Sequence, residues 1–374
     1  MSMSAPRRTR RVVSQLSEAG LITLWMEETE LPPPAPGEVT VRMEAAPLHS
    51  SDMHKLFGPI DTDRLVQAGS AKVPRLTAPL RDGAMAWQKN RLGLVIAGGS
   101  EGVGTVVATG PGAEAWMDQR VALWNVSTYG DHQNVKTAQC LVVSRQVDVA
   151  DAASAFNNPL TVLCIVETAR RLGYRALINT AAASNVGRML VNVCREEGLG
   201  LVSVVRRPAA VQQLQAFGAD HVLDSSSADF QGRLVDAIDA TGAMVCFDAV
   251  GGKLAGDILA GMESSARKRS SEFAPYGSSE RRHYFMYGAL DPAPMEIPRS
   301  AGQSWTCSGW RFREFIRQSS PEDVQRLVSQ IGKGLGTTFK GHFSRRIGLL
   351  DLLHANVVRE CFQRGTDSKT LIAI

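Results

Sequence analysis

Arg175-Ala176-Leu177-Ile178-Asn179-Thr180, followed at once by Ala181-Ala182-Ala183-Ser184-Asn185-Val186-Gly187, is the stretch that decides the fold of this chain. The first six residues read as a short apolar strand. The seven that follow are almost all small, and a helical pattern then runs from about Val186 to Glu197 before a second strand at Leu201 to Val205. Strand, tight turn, helix and strand make one βαβ unit. Small residues at such a turn let a backbone approach a pyrophosphate, whose charge the amino terminus of a helix favours. Ser184 and Asn185 stand where two glycines would be expected, so the loop needs support from its surroundings.

That support begins at the end of the second strand, where Arg206 and Arg207 stand, Arg206 being nineteen positions beyond Gly187. In a dinucleotide fold an acid about twenty residues on selects the free ribose hydroxyl of NAD, whereas an arginine accepts the phosphate of NADP. Two arginines therefore point to NADPH. The other possibility is a solvated pair at a helix start, where cations oppose the helix dipole.

Outward from this unit the pattern repeats. Pro208 suits the first turn of the next helix and Gly218 its end. A strand is expected at His221 to Leu223, a helix at Phe230 to Ala240, and strands at Ala243 to Asp248 and Tyr284 to Tyr287. The first 145 residues differ in texture: short apolar stretches such as Leu21 to Met26 and Val39 to Met43 are broken by Gly and Pro, as in Leu31-Pro32-Pro33-Pro34-Ala35-Pro36-Gly37. These read as strands joined by turns, and the boundary falls near 146 to 155. Two segments, 60–92 and 263–283, look like inserted loops, either functional or solvated excursions.

The chain has 374 residues, 44% hydrophobic and 21% charged, with a formal net charge of +4. This is an ordinary globular composition with room for two cores. So small a net charge gives no argument for a nucleic-acid partner. Arg7, Arg8, Arg10 and Arg11 are followed by a polar stretch and not by a signal-peptide core. No run of eighteen apolar residues indicates a membrane span, so a cytoplasmic location is expected. The cysteines, Cys140, Cys164, Cys194, Cys246, Cys307 and Cys361, are too far apart for zinc-ribbon spacing, and several, such as Cys246 in Met244-Val245-Cys246-Phe247, read as small core residues.

Several further stretches carry a resemblance to a known family. Ala45-Ala46-Pro47-Leu48-His49-Ser50-Ser51-Asp52, Gly99-Ser100-Glu101-Gly102-Val103-Gly104, Tyr129-Gly130-Asp131-His132, Leu160-Thr161 and Phe247-Asp248-Ala249-Val250-Gly251-Gly252 occur in that order. Together they resemble the medium-chain dehydrogenase/reductase superfamily, in its zinc-independent quinone oxidoreductase branch. The resemblance implies an α/β fold in which a doubly wound Rossmann domain (151–338) is joined to a GroES-like β-rich domain (1–150 and 339–374), with Lys369 to Ile374 as the returning strand. It implies that Ala182, Ala183, Ser184, Asn185, Val186, Gly187, Arg206 and Arg207 hold the NADPH. Asn158, Thr161, Asp248, Ala249, Val250, Tyr287 and Gly288 would lie toward the nicotinamide, with Asn157 nearby. It also implies a homodimer.

In zinc-dependent relatives the catalytic metal ligands fall at positions occupied here by His49, Ser100 and Asn157. Only His49 could ligate zinc, while a catalytic site needs three protein ligands, so no metal is expected. Reduction then relies on a hydride and on donors that stabilise charge developing on a substrate oxygen. This suits a quinone or an α,β-unsaturated carbonyl, as in a biosynthetic tailoring step. His49 could donate to an oxyanion and return a proton, or merely hydrogen-bond its surroundings. Tyr129 is a second donor or a packed tyrosine, and Asp52 orients the local turn. Two other functions stay open: an NADPH-binding regulatory or structural protein with little turnover, and a zinc alcohol dehydrogenase.

Overall fold

A computed structural model describes residues 7–70, 73–271, 273–363 and 369–374. The chain forms two compact units, Met1–Asn157 with Ile331–Ile374, and Asn158–Gln330.

The second unit is built on six parallel strands in the order His221–Asp224, Gly200–Val205, Ala176–Asn179, Val245–Asp248, Arg282–Met286, Trp305–Gly309. Numbered along the chain this is 3-2-1-4-5-6, the order of a doubly wound dinucleotide-binding sheet. The central strand is apolar without alternation, and Ala176, Leu177 and Ile178 are all buried. A strand covered by helices on both faces requires that pattern. The helix Asn185–Glu196 buries Gly187, Leu190, Val191 and Cys194, the spacing of one helical face. Pro208 opens the helix Pro208–Ala216, where its missing amide hydrogen is not needed. Gly242, with φ of 74°, closes the helix Phe230–Thr241 in the left-handed region.

The first unit contains two sheets. One has the order Val66–Ser70, Val73–Pro79, Leu21–Leu31, Arg7–Leu16, Ile96–Ala97, every pair antiparallel. The other has the order Cys140–Val142, Arg120–Trp124, Glu101–Thr109, Glu38–Leu48, Lys369–Ala373, Phe343–Gly348, with His132–Lys136 also on Glu38–Leu48. Lys369–Ala373 pairs antiparallel with Glu38–Leu48 and parallel with Phe343–Gly348. The core joins Val12, Leu16, Ile22 and Leu24 to Leu56, Phe57, Leu352 and Ile372, so residues from both stretches of the chain share it.

Neither expected insertion is a plain loop. Segment 60–92 contributes the hairpin Val66–Ser70 and Val73–Pro79, which extends the five-stranded sheet. In segment 263–283 the first seven residues finish the helix Gly252–Arg269. Its buried Ala255, Ile258, Leu259, Met262 and Ala266 keep one face continuous past Glu263. Among the described residues no helix is long and apolar enough to cross a membrane.

Candidate functional site

The loop leaving Ala176–Asn179 turns through Ala181, whose φ is 48°. Ser184 then caps the helix Asn185–Glu196, its hydroxyl accepting from the Gly187 amide at 3.2 Å. At Gly187 glycine is required, because a Cβ there would lie 2.1 Å from the Ala182 carbonyl oxygen. Helix and loop therefore meet backbone to backbone, with Ala182 fully buried and Ala183, Ser184 and Val186 at the helix entry. The first-turn amides of such a helix have no intrahelical partner and face the side from which an anion would come. Ser184 thus takes the cap position, and Gly187 is the glycine that the close packing demands.

Beside it, Asp248 organises the neighbouring strand end. Its Oδ1 accepts from Thr180 Oγ1 at 2.5 Å and Val250 N at 2.9 Å, and its Oδ2 from Gly251 N at 2.6 Å and Tyr284 Oη at 2.5 Å. Thr180 Oγ1 in turn accepts from Ala249 N at 2.8 Å. Asp248 is wholly buried and its carboxylate is engaged on both oxygens, so it shapes the Ala249–Gly251 turn from behind. Tyr287 donates to Asn179 Oδ1 at 3.3 Å, and burial, with Asp248 nearby, pushes its hydroxyl well above the ordinary tyrosine range. Gly288 lies against Ala249, where a Cβ would come within 2.8 Å of the Ala249 carbonyl oxygen.

Arg206 and Arg207 follow the strand Gly200–Val205 and are both exposed. Arg207 is the N-cap of Pro208–Ala216 in extended conformation, without a side-chain cap bond. Asn158 and Thr161 lie in the first turns of the helix Asn157–Arg171, each 8% exposed. Asn158 Nδ2 and Asn179 Nδ2 are buried with no hydrogen-bond partner among the described residues. Buried amide donors of this kind normally have a partner, so both fit a site that a polar ligand completes.

In the first unit a buried polar group gathers around His49, the N-cap of the helix Ser50–Phe57. His49 Nε2 lies 2.5 Å from Glu101 Oε1. Glu101 Oε2 accepts the amides of Phe156 at 2.8 Å and Asn157 at 2.9 Å. Burial alone would raise this carboxyl, but His49, Lys369 and the Asn157 amide together hold it below its ordinary value. Asp52 Oδ2 accepts from the His49 amide at 3.2 Å and from Tyr129 Oη at 3.0 Å, and Tyr129 Oη also meets the Pro47 carbonyl at 2.9 Å. Tyr129 is 1% exposed. Burial, reinforced by Asp52, raises its hydroxyl well above the ordinary range. Lys369 Nζ is buried without a hydrogen-bond partner among the described residues, and burial lowers it to about 8 against the pull of Glu101 and Asp52. Asn157 Nδ2 donates to Ser100 Oγ at 2.9 Å. Among the described residues no three His, Cys, Asp or Glu side chains converge as a metal site would require.

No family model matches the chain. A mitochondrial enoyl-acyl-carrier-protein reductase of Xenopus tropicalis is 25% identical over 356 residues, 87% of each chain. Among solved structures, a protein designated an NADPH:quinone reductase from Mesorhizobium loti superimposes with a TM-score of 0.73 at 21% identity, over 100% of both chains. The complex of Etr1p with NADP and crotonyl-CoA gives a TM-score of 0.70 at 18% identity, over 98% of this chain and 100% of that one; Etr1p is a mitochondrial 2-enoyl thioester reductase subunit of Candida tropicalis. The fold is that of the medium-chain dehydrogenase/reductases.

Within this medium-chain reductase fold, the sequence had singled out His49 and Tyr129, and the structure links them through Asp52. It also adds residues whose roles had not been read. Glu101, by sequence one residue of a turn motif, opens the strand Glu101–Thr109 with no exposure. An acid at the head of the run Glu101-Gly102-Val103-Gly104-Thr105-Val106 was the available signal. Thr180 and Tyr284 carried none, because a hydroxyl in an apolar strand is equally a surface or a core residue.

Proposed function

We propose that the chain is an NADPH-dependent reductase of a conjugated acceptor, a quinone or an α,β-unsaturated carbonyl, acting as a homodimer. The observation that carries this reading is the backbone contact of Gly187 with Ala182 beneath a Ser184-capped helix, followed by Arg206 and Arg207 at the next strand end. The pyrophosphate would lie against the loop 182–187, held by the first-turn amides of Asn185 and Val186, and the adenosine phosphate would be held by Arg206 and Arg207. The turn Ala249–Val250, with Tyr287 and Gly288, Asn158 and Thr161, would surround the nicotinamide. When bound, the reduced nicotinamide supplies a hydride. The chain's own work is to orient the acceptor, to stabilise the negative charge left on it and to return a proton, roles that suit His49. Tyr129 is the less suited donor, because its single hydroxyl hydrogen already serves Asp52 and Pro47. The relatives' names support the acceptor class, since quinones and enoyl thioesters both delocalise the charge of an added hydride.

The test is NADPH consumption by the purified protein across a panel of quinones and enoyl thioesters. Steady turnover of at least one acceptor, with product carrying a hydrogen from NADPH, is expected. Tight NADPH binding with no turnover would instead favour a regulatory or structural NADPH-binding protein. Gel filtration at half the mass of a dimer would overturn the assembly.

A further inference from the structure

Glu101 divides its two oxygens between a candidate acid–base group and the main chain. Oε1 meets His49 Nε2 at 2.5 Å, while Oε2 is fixed by the amides of Phe156 and Asn157. The Glu101 carbonyl is held as well, by Thr128 Oγ1 at 2.7 Å. A carboxylate anchored this way cannot turn without giving up two amide donors, and with no exposure it has no water to replace them. His49 is anchored at its own main chain through Asp52. A carboxylate accepts hydrogen bonds and does not donate them, so the hydrogen between the two side chains belongs to Nε2. The second ring nitrogen, Nδ1, makes no hydrogen bond among the described residues.

Resting on the reductase reading above, we propose that Glu101 is a positioning residue that keeps a hydrogen on His49 Nε2 and thereby makes Nδ1 the atom that carries and releases the proton of the reduction. Once the acceptor has received a hydride, its oxygen or α-carbon bears an electron pair. The Nδ1–H bond breaks, its electrons stay on Nδ1, and a new O–H or C–H bond forms on the acceptor. His49 is left neutral with its Nε2 hydrogen still on Glu101, and solvent restores the Nδ1 proton. Hydride and proton together complete a two-electron reduction. The titratable groups around the pair are Asp52 at the head of the His49 helix, Tyr129 bonded to it, Lys369 on the strand Lys369–Ala373 and Cys361 on the helix Ala355–Gln363. Among the described residues, the side chains of Asp52 and Tyr129 bond to the His49 amide, the Pro47 carbonyl and each other.

The test uses the full chain, labelled with 15N-histidine and free of cofactor, with the His49 signal assigned from its loss in His49→Ala. In its neutral form His49 is expected to show the Nε2–H tautomer. A dominant Nδ1–H tautomer in the parent protein overturns the proposal, whether or not any variant folds. In Glu101→Gln the two main-chain donors should keep the amide oxygen, so that the NH2 group faces Nε2 and the neutral ring changes to the Nδ1–H tautomer. With an active acceptor, turnover should fall about tenfold or more, within the range a positioned acid–base group contributes, while the NADPH KM changes less than about twofold. Glu101→Asp, a shorter carboxylate, should keep the Nε2–H tautomer but recover only part of the turnover. An unchanged His49 tautomer in a folded Glu101→Gln sinks the assignment. If the parent protein turns over no acceptor, the reductase reading fails, and the tautomer still decides the Glu101–His49 relation on its own.

Discussion

Arg282 and Glu263 form an ion pair closed off from solvent, the guanidinium 0% and the carboxylate 1% exposed. Glu263 also accepts from Ser278 N at 2.8 Å and Arg267 Nε at 2.6 Å, and Gly277 and Gly302 close on it where a Cβ would collide. Arg282 has no such reserve: its Nε and Nη2 lack hydrogen-bond partners among the described residues. The two halves of the pair are therefore unequal. Glu263→Gln, which strands the buried cation, should cost about 3–5 kcal/mol. Arg282→Met leaves Glu263 with Arg267 and Ser278 and should cost less. Chemical denaturation of both variants checks the order; equal losses would mean that the pair acts only by filling space.

Gly187→Ala tests the proposed cofactor cradle. The added methyl would sit 2.1 Å from the Ala182 carbonyl oxygen, and backbone cannot step aside as a flexible side chain does. A stability loss of about 1–3 kcal/mol is expected, as for other overpacked sites, together with weaker NADPH binding at a temperature where the variant is folded. Unchanged affinity by calorimetry would move the pyrophosphate away from this loop.

Arg206→Ala and Arg207→Ala should weaken NADPH and leave NADH nearly unchanged. Hydrogen bonds to charged groups contribute roughly 1.5–3 kcal/mol, which is about tenfold to over a hundredfold in Kd. Paired titrations decide it, and equal losses for both cofactors would leave the two arginines as a solvated pair at a helix start.

Lys369 and Glu101 both make stability rise with pH, each in its own window. Lys369 is lowered to about 8 from 10.5 by burial. Between those values the unfolded chain holds a proton that the folded chain does not, so stability rises with pH across that window. Glu101 lies below its ordinary 4.5. Its contribution is therefore complete above that value and is lost as pH falls through the lower, folded one. Lys369→Met should raise the Tm at pH 7 and flatten the alkaline slope, and Glu101→Gln should flatten the acid limb. Melting curves from pH 3 to 10 provide both readings, and unchanged slopes would contradict them.

Tyr129→Phe separates a donor from a support. Removing the hydroxyl leaves the buried Pro47 carbonyl and Asp52 without it, at about 1–3 kcal/mol. Turnover per folded molecule should change by less than about threefold. A loss of about a hundredfold or more would make Tyr129 an oxyanion donor after all.

Much of the second unit was legible because its signals are local. An apolar strand, a small-residue turn, Pro208 at a helix start and alternating elements act within a dozen residues, and the observed strands Gly200–Val205 and His221–Asp224 begin or end within one residue of expectation. The hairpin at Val66–Ser70 and Val73–Pro79 was missed because Val66 and Val73 are exposed, which removes the alternation that marks a half-buried strand. Glu263 suggested a solvated loop because its partner is nineteen residues on at Arg282, and burial of a carboxylate can be inferred only when the counter-charge is known. The same holds for Glu101: His49 lies fifty-two positions away, and no periodicity connects them.

The placement of Lys369–Ala373 between Glu38–Leu48 and Phe343–Gly348 has a consequence for synthesis. Thr370 is opposite Leu48 in that sheet, yet the ribosome makes it 322 residues later. At about 5–20 residues per second, the edge carrying Ala45, Ala46 and Leu48 waits roughly 16–64 s for its neighbour, during which the entire Asn158–Gln330 unit emerges and can fold. The unit that is begun first is thus finished last, and its waiting edge is an open template for wrong pairing. Translation speed and chaperone occupancy over those seconds, more than the stability of the finished molecule, should set how much of this protein a cell recovers.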